Sequence, residues 1–228
     1  MAVLLLALTA AVGAGRQEYG SIEGRVTFTG TPPPPTTVEL SGGEQPVLYV
    51  DRTGGLGFAV VYLPDGRVAG PVPPGARMNQ RRFIFQPQVL AVRAGQTVHF
   101  TNDDPSNHNV RAQGARQENT FSVDTAPGSV DPASRTFVAT PPDRPLQLSC
   151  DIHPWMAAWI YVFDHDLFAV TGQDGRYRID NVPPGRHRLA VRQPSGRLAR
   201  DLSVDVRAGE TTTLDVRFAA ADIGMPTR

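Results

Sequence analysis

Residues 167–192 read LFAVTGQDGRYRIDNVPPGRHRLAVR and alternate short apolar-rich segments with turn residues. The turns are marked by Asp174-Gly175 and by Pro183-Pro184-Gly185, because Gly and Pro adopt or impose backbone conformations that regular strands avoid. Short strands separated by such turns are typical of β-sandwiches. The same pattern continues through DLSVDV (201–206) and TTTLDVRF (211–218), and no amphipathic helix of useful length occurs. The sequence therefore predicts an all-β chain.

The composition of the whole chain supports this fold class and excludes some functions. The 228 residues include 22 Gly and 21 Pro, which disfavour long helices. The 22 basic residues, all of them arginine, balance 22 acidic residues, so the excess of positive charge that is typical of nucleic-acid-binding proteins is missing. The single cysteine, Cys150, excludes an internal disulfide.

The first residues of the chain predict export. Residues 2–14, AVLLLALTAAVGA, form an apolar run that ends in small residues before polar Arg16, as in the apolar part of a secretory signal. A helix of this length would be about 20 Å long, too short to span a bilayer. We expect a signal peptide at residues 1–14 and a periplasmic or extracellular mature chain with no transmembrane span. The alternatives are a misplaced start and a buried first strand.

Strand candidates also occupy much of the sequence before residue 167. They lie at 21–29, 47–50, 57–63, 82–92, 97–101, 110–111, 135–138, 146–149 and 158–163. Residues 31–37, TPPPPTT, predict a stiff turn, and residues 114–133 are polar and irregular. Strand geometry places Trp159, Tyr161 and Phe163 on one face, with Ile160 and Val162 on the other. We expect the aliphatic pair to fill a core and the aromatic stripe to pack on a neighbouring sandwich, or on a partner.

Two short clusters carry the chemistry. The first is NDDPSNHNV at 102–110 and contains His108, and the second is CDIHPWM at 150–156. Together they offer two imidazoles, a thiolate and a thioether, the ligand set of a blue copper site. The sequence predicts His108, Cys150, His153 and Met156 as ligands of one type 1 copper, with Met156 as the weak axial donor. We interpret the adjacent Asp103-Asp104 pair as part of a turn.

The ligand clusters and the run FQPQVLAVRAGQTVHFTNDD (85–104) resemble the cupredoxin family over residues 78–164. The compact ligand loop is similar to that of amicyanin, in which proline also follows the second histidine, here Pro154. The resemblance implies a Greek-key β-barrel or sandwich with the same four copper ligands, and it suggests that Asn109 ties the two ligand segments together. Trp155 departs from the usual loop, and we expect it beside an exposed edge of His153, where redox partners would dock.

The C-terminal part resembles carboxypeptidase regulatory-like domains, which are small transthyretin-like sandwiches. The resemblance rests on Asp174-Gly175-Arg176-Tyr177 and on Val182-Pro183-Pro184-Gly185, and SIEGRVTFTG at 21–30 is similar to the first strand of such a domain. We therefore expect residues 20–75 and 165–219 to build one sandwich with the cupredoxin inserted between them. The predicted divisions are 1–14 (signal), 15–75 (N-terminal β segment), 76–164 (cupredoxin), 165–219 (regulatory-like sandwich) and 220–228 (tail).

These features predict an electron carrier rather than an enzyme. No hydrolase, zinc-protease or nucleotide-binding motif stands in a suitable context. Of the remaining histidines, His99 reads as structural, and His165 and His187 read as surface residues, which leaves too few for a second copper site. We expect an exported blue copper protein that passes single electrons between redox proteins. The alternatives are a copper carrier or sensor without electron transfer, and an envelope protein that binds through its sandwich.

Overall fold

The structure, a computed structural model, describes residues 18–38, 40–41, 43–67, 69–129 and 133–224. The predicted signal at 1–14 lies outside this range. The N-terminal strands are β1 (Gly20–Thr29), β2 (Thr36–Val38), β3 (Gly43–Gln45) and β4 (Val60–Tyr62). The middle strands are β5 (Ala76–Arg81), β6 (Ile84–Gln86), β7 (Val89–Arg93), β8 (Thr97–Asn102), β9 (His108–Gln113), β10 (Phe121–Thr125), β11 (Ala133–Thr136), β12 (Leu146–Ser149) and β13 (Ala157–Phe163). The C-terminal strands are β14 (Phe168–Val170), β15 (Arg176–Val182), β16 (Gly185–Gln193), β17 (Leu198–Val206), β18 (Thr211–Thr213) and β19 (Val216–Ala219).

The all-β fold class is confirmed. The helical segments among the described residues are single 3₁₀ turns at Gln117–Asn119 and Ala220–Asp222. None of the described helical segments is long or apolar enough to cross a membrane.

Strands β1 and β4 form one sandwich with strands β14 to β19. One sheet has the order β15-β1-β18, with β19 also pairing with β1, and the facing sheet has the order β14-β4-β16-β17. Strand β1 runs antiparallel to β15 and parallel to β18 and β19. A single buried core, which includes Ile22, Val61, Ile179 and Val191, fills the space between the sheets. This is the strand pairing that the insertion hypothesis requires; the domain boundaries themselves stay a prediction.

Close backbone contacts in this sandwich require glycine, as at Gly175 and Gly24. Gly175 has a φ of +79°, and a methyl group there would overlap the carbonyl oxygen of Val26. At Gly24 a methyl group would overlap the carbonyl oxygen of Leu214. These glycines let β1 lie against its partners from the C-terminal part.

The middle of the chain forms a second two-sheet unit. Its sheets have the orders β10-β9-β12-β13-β7 and β11-β8-β5-β6. Their facing sides bury one core, whose members include Met78, Phe100, Val110, Leu148 and Ile160. Cys150 and Met156 belong to the same core, so two of the predicted ligands are anchored by its packing.

The aromatic stripe of β13 joins the two units, as predicted. Ile160 and Val162 lie in the core of the middle unit. Tyr161 and Phe163, on the other face, pack against Tyr62 and neighbouring residues of β4 and β16, and half-buried Trp159 packs at the edge of this cluster. Phe163 stacks on Phe168 with 4.6 Å between ring centroids.

Some segments differ from the predictions. The run 82–92 is broken into β6 and β7 around Pro87, and β5 and β6 form a hairpin whose tip is Arg82-Phe83. The segment 114–133, predicted to be irregular, contains β10, which pairs with β9. Residues 220–222, part of a tail expected to be frayed, form a 3₁₀ turn held by Asp222, whose carboxylate accepts a hydrogen bond from Arg200. In each case a tertiary partner supplies the hydrogen bonds that local sequence patterns do not reveal.

Candidate metal centre

Three donor atoms of the two ligand clusters converge at one end of the middle unit. His108 begins β9, Cys150 directly follows β12, and His153 lies in the next turn. Because β9 and β12 are antiparallel neighbours, the start of one lies beside the end of the other. His108 Nδ1 lies 2.8 Å from His153 Nδ1, and Cys150 Sγ lies 3.9 Å and 3.8 Å from these two nitrogens.

The spacing of these three atoms fits a metal ion. The point in their plane that is equidistant from corners 2.8, 3.8 and 3.9 Å apart lies about 2.1 Å from each. This matches the usual metal–nitrogen distance of about 2.0–2.1 Å and is slightly shorter than the usual metal–sulfur distance of about 2.3 Å. All three residues are buried, with 1%, 2% and 5% of the surface of His108, Cys150 and His153 exposed. Among the described residues, this is the group of His, Cys, Asp and Glu side chains whose atoms converge closely enough for a metal.

The fourth predicted ligand, Met156, is fully buried at the end of the same loop. Its backbone N–H donates to the carbonyl oxygen of His153 at 3.0 Å, which closes the turn. The side chain packs in the same core as Cys150. That Met156 is the soft additional donor stays a prediction.

The surroundings of Cys150 favour its thiolate form. Burial works to raise the pKa of the thiol, but hydrogen bonds from His108 and from the backbone N–H groups of Asn109, His153 and Ile152 outweigh it and lower the pKa. The thiolate is the form that binds metals. The ligand loop and the start of β9 therefore supply N–H groups that stabilise the charge that a metal ligand needs.

The two imidazoles lie in different electrostatic surroundings. Burial works to lower the pKa of His108, yet its contacts with Cys150 and Asp104 together raise it. Burial and the charge of His108 lower the pKa of His153. Since the two Nδ1 atoms face each other at 2.8 Å, a metal between them would replace the proton that they share in the metal-free protein.

Asn109 connects the two ligand segments. Its amide nitrogen donates to an Asp151 carboxylate oxygen at 2.8 Å, and its amide oxygen accepts from the backbone N–H of Asp151 at 2.7 Å. Arg111 adds an exposed ion pair with Asp151 at 3.2 Å. This arrangement holds the neighbours of His108 and Cys150 in a fixed relation. Pro154 is exposed on the outer side of the same loop.

Asp104 is a site residue that sequence reasoning missed. Only 5% of its side chain is exposed, and its Oδ2 atom lies 3.0 Å from His108 Nε2. The carboxylate also accepts hydrogen bonds from the backbone N–H groups of Arg82, at 2.6 Å, and Phe83, at 2.8 Å. The one feature of the sequence that could have indicated this contact is the position of Asp104 four residues before His108. The turn interpretation is correct but incomplete, since Asp104 N–H does donate to Asn102 Oδ1.

The expected exposed edge of His153 is covered, which corrects the sequence prediction. The Phe83 ring meets His153 edge to face, with 5.3 Å between ring centroids, and Trp155 lies 5.4 Å from the same imidazole. The Trp155 indole N–H donates to the carbonyl oxygen of Phe83 at 3.0 Å. We call this pair of rings, Phe83 and Trp155, the aromatic cover. Both rings are half-buried, so they lie between His153 and solvent.

The other histidines take structural places. His99 Nδ1 shares a hydrogen bond with Ser134 Oγ at 2.8 Å, in line with its predicted role. The surface prediction for His165 is wrong: only 3% of it is exposed, and its Nδ1 accepts the backbone N–H of Leu167. His187 is half-buried and bonds the carbonyl oxygen of Pro183.

Comparison with a family model confirms one of the two resemblances. Residues 156–219 match the model of the carboxypeptidase regulatory-like domain. The match begins at Met156 and so includes β13, whose hydrogen bonds are with β12 and β7 of the middle unit. A search of curated proteins finds no match.

Similar solved structures include cupredoxins. A purple cupredoxin from Nitrosopumilus maritimus is 20% identical, with 39% of this chain and 99% of that chain covered and a TM-score of 0.33. Amicyanin from Paracoccus versutus is 19% identical, with 45% and 97% covered and a TM-score of 0.32. A copper-containing nitrite reductase from Thermus scotoductus is 20% identical, with 60% of this chain and 28% of that chain covered and a TM-score of 0.34. Each of these similarities covers only part of this chain. The evidence for a metal site comes from the donor atoms of the cluster.

Proposed function

We propose that this protein binds one type 1 copper through His108, Cys150, His153 and Met156 and passes single electrons between redox proteins. The observation that carries the proposal is the convergence of two imidazole nitrogens and one thiol sulfur around a point about 2.1 Å from each. Two imidazoles, a thiolate and a weak thioether suit copper better than zinc or iron, because this donor set serves both copper oxidation states. Bound copper would supply one-electron chemistry between Cu(II) and Cu(I).

The protein's part is to hold the donors still. His108 is fixed by Asp104 at Nε2, so that its Nδ1 faces the cluster. Cys150 is held by the packing of the core and by backbone N–H groups. Asn109 bonds the loop of Cys150 and His153 to the strand of His108. A site whose ligands keep one arrangement in both oxidation states needs little rearrangement when an electron arrives.

The burial of the site supports electron transfer over catalysis. The side chain of His108 is 0% exposed, and the aromatic cover lies over His153, so the cluster presents no open face for a substrate. Electrons, unlike substrates, can pass through packed protein. We include in the proposal a periplasmic or extracellular location and redox proteins as partners.

An optical titration of reduced apoprotein with Cu(II) tests the proposal. We expect an intense thiolate-to-copper charge-transfer band that a mild reductant bleaches and an oxidant restores. The band should be lost in Cys150→Ser and retained in the matched control His187→Gln, whose imidazole lies in the other sandwich. A protein that stays colourless yet binds Cu(I) tightly would be a carrier. A protein that binds no copper would contradict the assignment of the site.

A further inference from the structure

The route by which an electron reaches the surface is set by what covers the ligands. Among the four predicted ligands, none has more than 5% of its surface exposed. His153 is the most exposed of them, and its ring is in contact with Phe83 and Trp155. An electron that leaves through any ligand must therefore cross another side chain first.

The aromatic cover is built into the fold. Arg82 and Phe83 both have left-handed backbone conformations, with φ values of +57° and +59°, which non-glycine residues adopt only when surrounding contacts hold them. Both backbone N–H groups donate to the carboxylate of Asp104. The carbonyl oxygen of Phe83 then accepts the Trp155 indole N–H. The hairpin tip is thus fastened on one side to Asp104 and on the other to Trp155.

Two features distinguish Trp155 from Phe83 within the cover. Trp155 belongs to the ligand loop and lies two residues after His153, so it has both a covalent connection and a ring contact with that ligand. Its indole also has the larger π-system and the hydrogen bond that fixes its orientation. Phe83 approaches both histidines edge to face, at 5.3 and 5.6 Å, from a separate hairpin.

We propose that Trp155 is the residue through which electrons enter and leave this centre, in place of an exposed edge of His153, while Phe83 seals the remaining side. The inference rests on the proposed copper site. In exchange between two copies, one electron passes from the reduced centre of one copy to the oxidised centre of the other, so one Cu(I) is oxidised and one Cu(II) is reduced. The rate falls steeply with the gap between donor and acceptor, and a conjugated ring that bridges His153 to the surface shortens that gap.

The self-exchange rate of the copper-loaded full chain tests the route. This reaction has no net driving force, so a change of reduction potential in a variant does not bias the rate. We expect Trp155→Leu to slow exchange several-fold with an unchanged optical spectrum, and Trp155→Phe to recover most of the rate. Phe83→Leu is the matched control: it removes a ring from the same cover, and its rate should equal or exceed that of the unaltered protein. An unchanged rate in Trp155→Leu, or an equal loss in Phe83→Leu, would overturn the proposal.

A second measurement on the metal-free protein tests the cover itself. The thiol of Cys150 should react slowly with a disulfide reagent such as Ellman's reagent, because only 2% of the residue is exposed. Phe83→Ala should accelerate this reaction several-fold, and Leu40→Ala, at an exposed position outside the ligand segments, should not. Equal rates in Phe83→Ala and the unaltered protein would show that no cover shields the centre. Absence of the blue band in the unaltered protein would instead refute the copper site.

Discussion

Replacing Asp104 by Asn should destabilise the metal-free protein because the carboxylate has three hydrogen-bond donors to satisfy. One oxygen accepts from the Arg82 N–H, and the other accepts from the Phe83 N–H and faces His108 Nε2. An amide has only one acceptor oxygen, so its NH₂ group must face at least one of these donors. A buried N–H without an acceptor costs about 1–3 kcal/mol, and the bonds that remain lose their charge-assisted strength, roughly half of the total.

The expected loss is therefore about 2–4 kcal/mol of unfolding free energy, from these hydrogen-bond terms. The neighbouring Asp103 offers a matched control, because its carboxylate is 44% exposed and pairs with Arg77, whose side chain is 56% exposed. Asp103→Asn should cost at most about 1 kcal/mol, as for other surface ion pairs. Both changes remove one negative charge, so a difference between them reports burial and geometry rather than net charge.

Urea denaturation followed by tryptophan fluorescence measures both variants. The two tryptophans, Trp155 and Trp159, lie in or next to the middle unit, so their emission follows the part of the chain that Asp104 holds. The transition midpoint of Asp104→Asn should fall with little change in slope. A midpoint equal to that of Asp103→Asn would refute the reasoning, because it would mean that the three donors do not depend on the carboxylate.

Three further changes probe other parts of the fold. Gly175→Ala should lower the unfolding free energy by at least about 2 kcal/mol, because a left-handed φ and contact with Val26 combine there. Gly128→Ala is the control, because Gly128 has a φ of +61° and open space around it, and it should cost only about 1–2 kcal/mol. Equal denaturation midpoints of the two variants would contradict this. Phe163→Ala should lower the unfolding free energy by about 3–5 kcal/mol and make the junction of the two units a site of limited proteolysis. A cleavage pattern like that of the unaltered chain would contradict the role of Phe163 in joining the two units. Burial lowers the pKa of His165. As the pH falls, the unfolded chain therefore takes up this proton before the folded chain does, and the stability should decrease below about pH 6.5. This decrease should be smaller in His165→Gln when denaturation midpoints are compared across pH, and an identical dependence of the midpoint on pH in both proteins would exclude the effect.

The candidate ligands could be predicted from sequence because their signal is local. Cys150, His153 and Met156 lie within one short loop, and their residue types together suit copper. His108 came from a second cluster whose position at the start of a strand places it beside that loop. The alternation in 159–163 also determined which side chains face each core, because strand geometry fixes it.

What sequence reasoning missed depends on contacts between distant segments. Asp104 acts through a hairpin tip more than twenty positions earlier, and nothing near Asp104 reveals that this tip lies against it. His165 lies between two aspartates, which suggested the surface, but its ring packs beside Phe163 and Phe168. Sequence reasoning also expected an exposed edge of His153. It missed the cover because Phe83 is placed over the imidazole by the left-handed hairpin tip, which no local pattern predicts.

The pairing of β1 with the last strands has a consequence for the order of assembly. Ser21 and Thr211 share a hydrogen bond although they are 190 positions apart, so β1 leaves the ribosome long before β15, β18 and β19 exist. Contacts of such large sequence separation form late. Until then the apolar side chains of β1 have no sheet to cover them, and a chain that ends early leaves an unpaired edge, a known cause of aggregation. The sandwich therefore closes only on a finished polypeptide, and a chain cut short before β18 would be open to quality-control proteases.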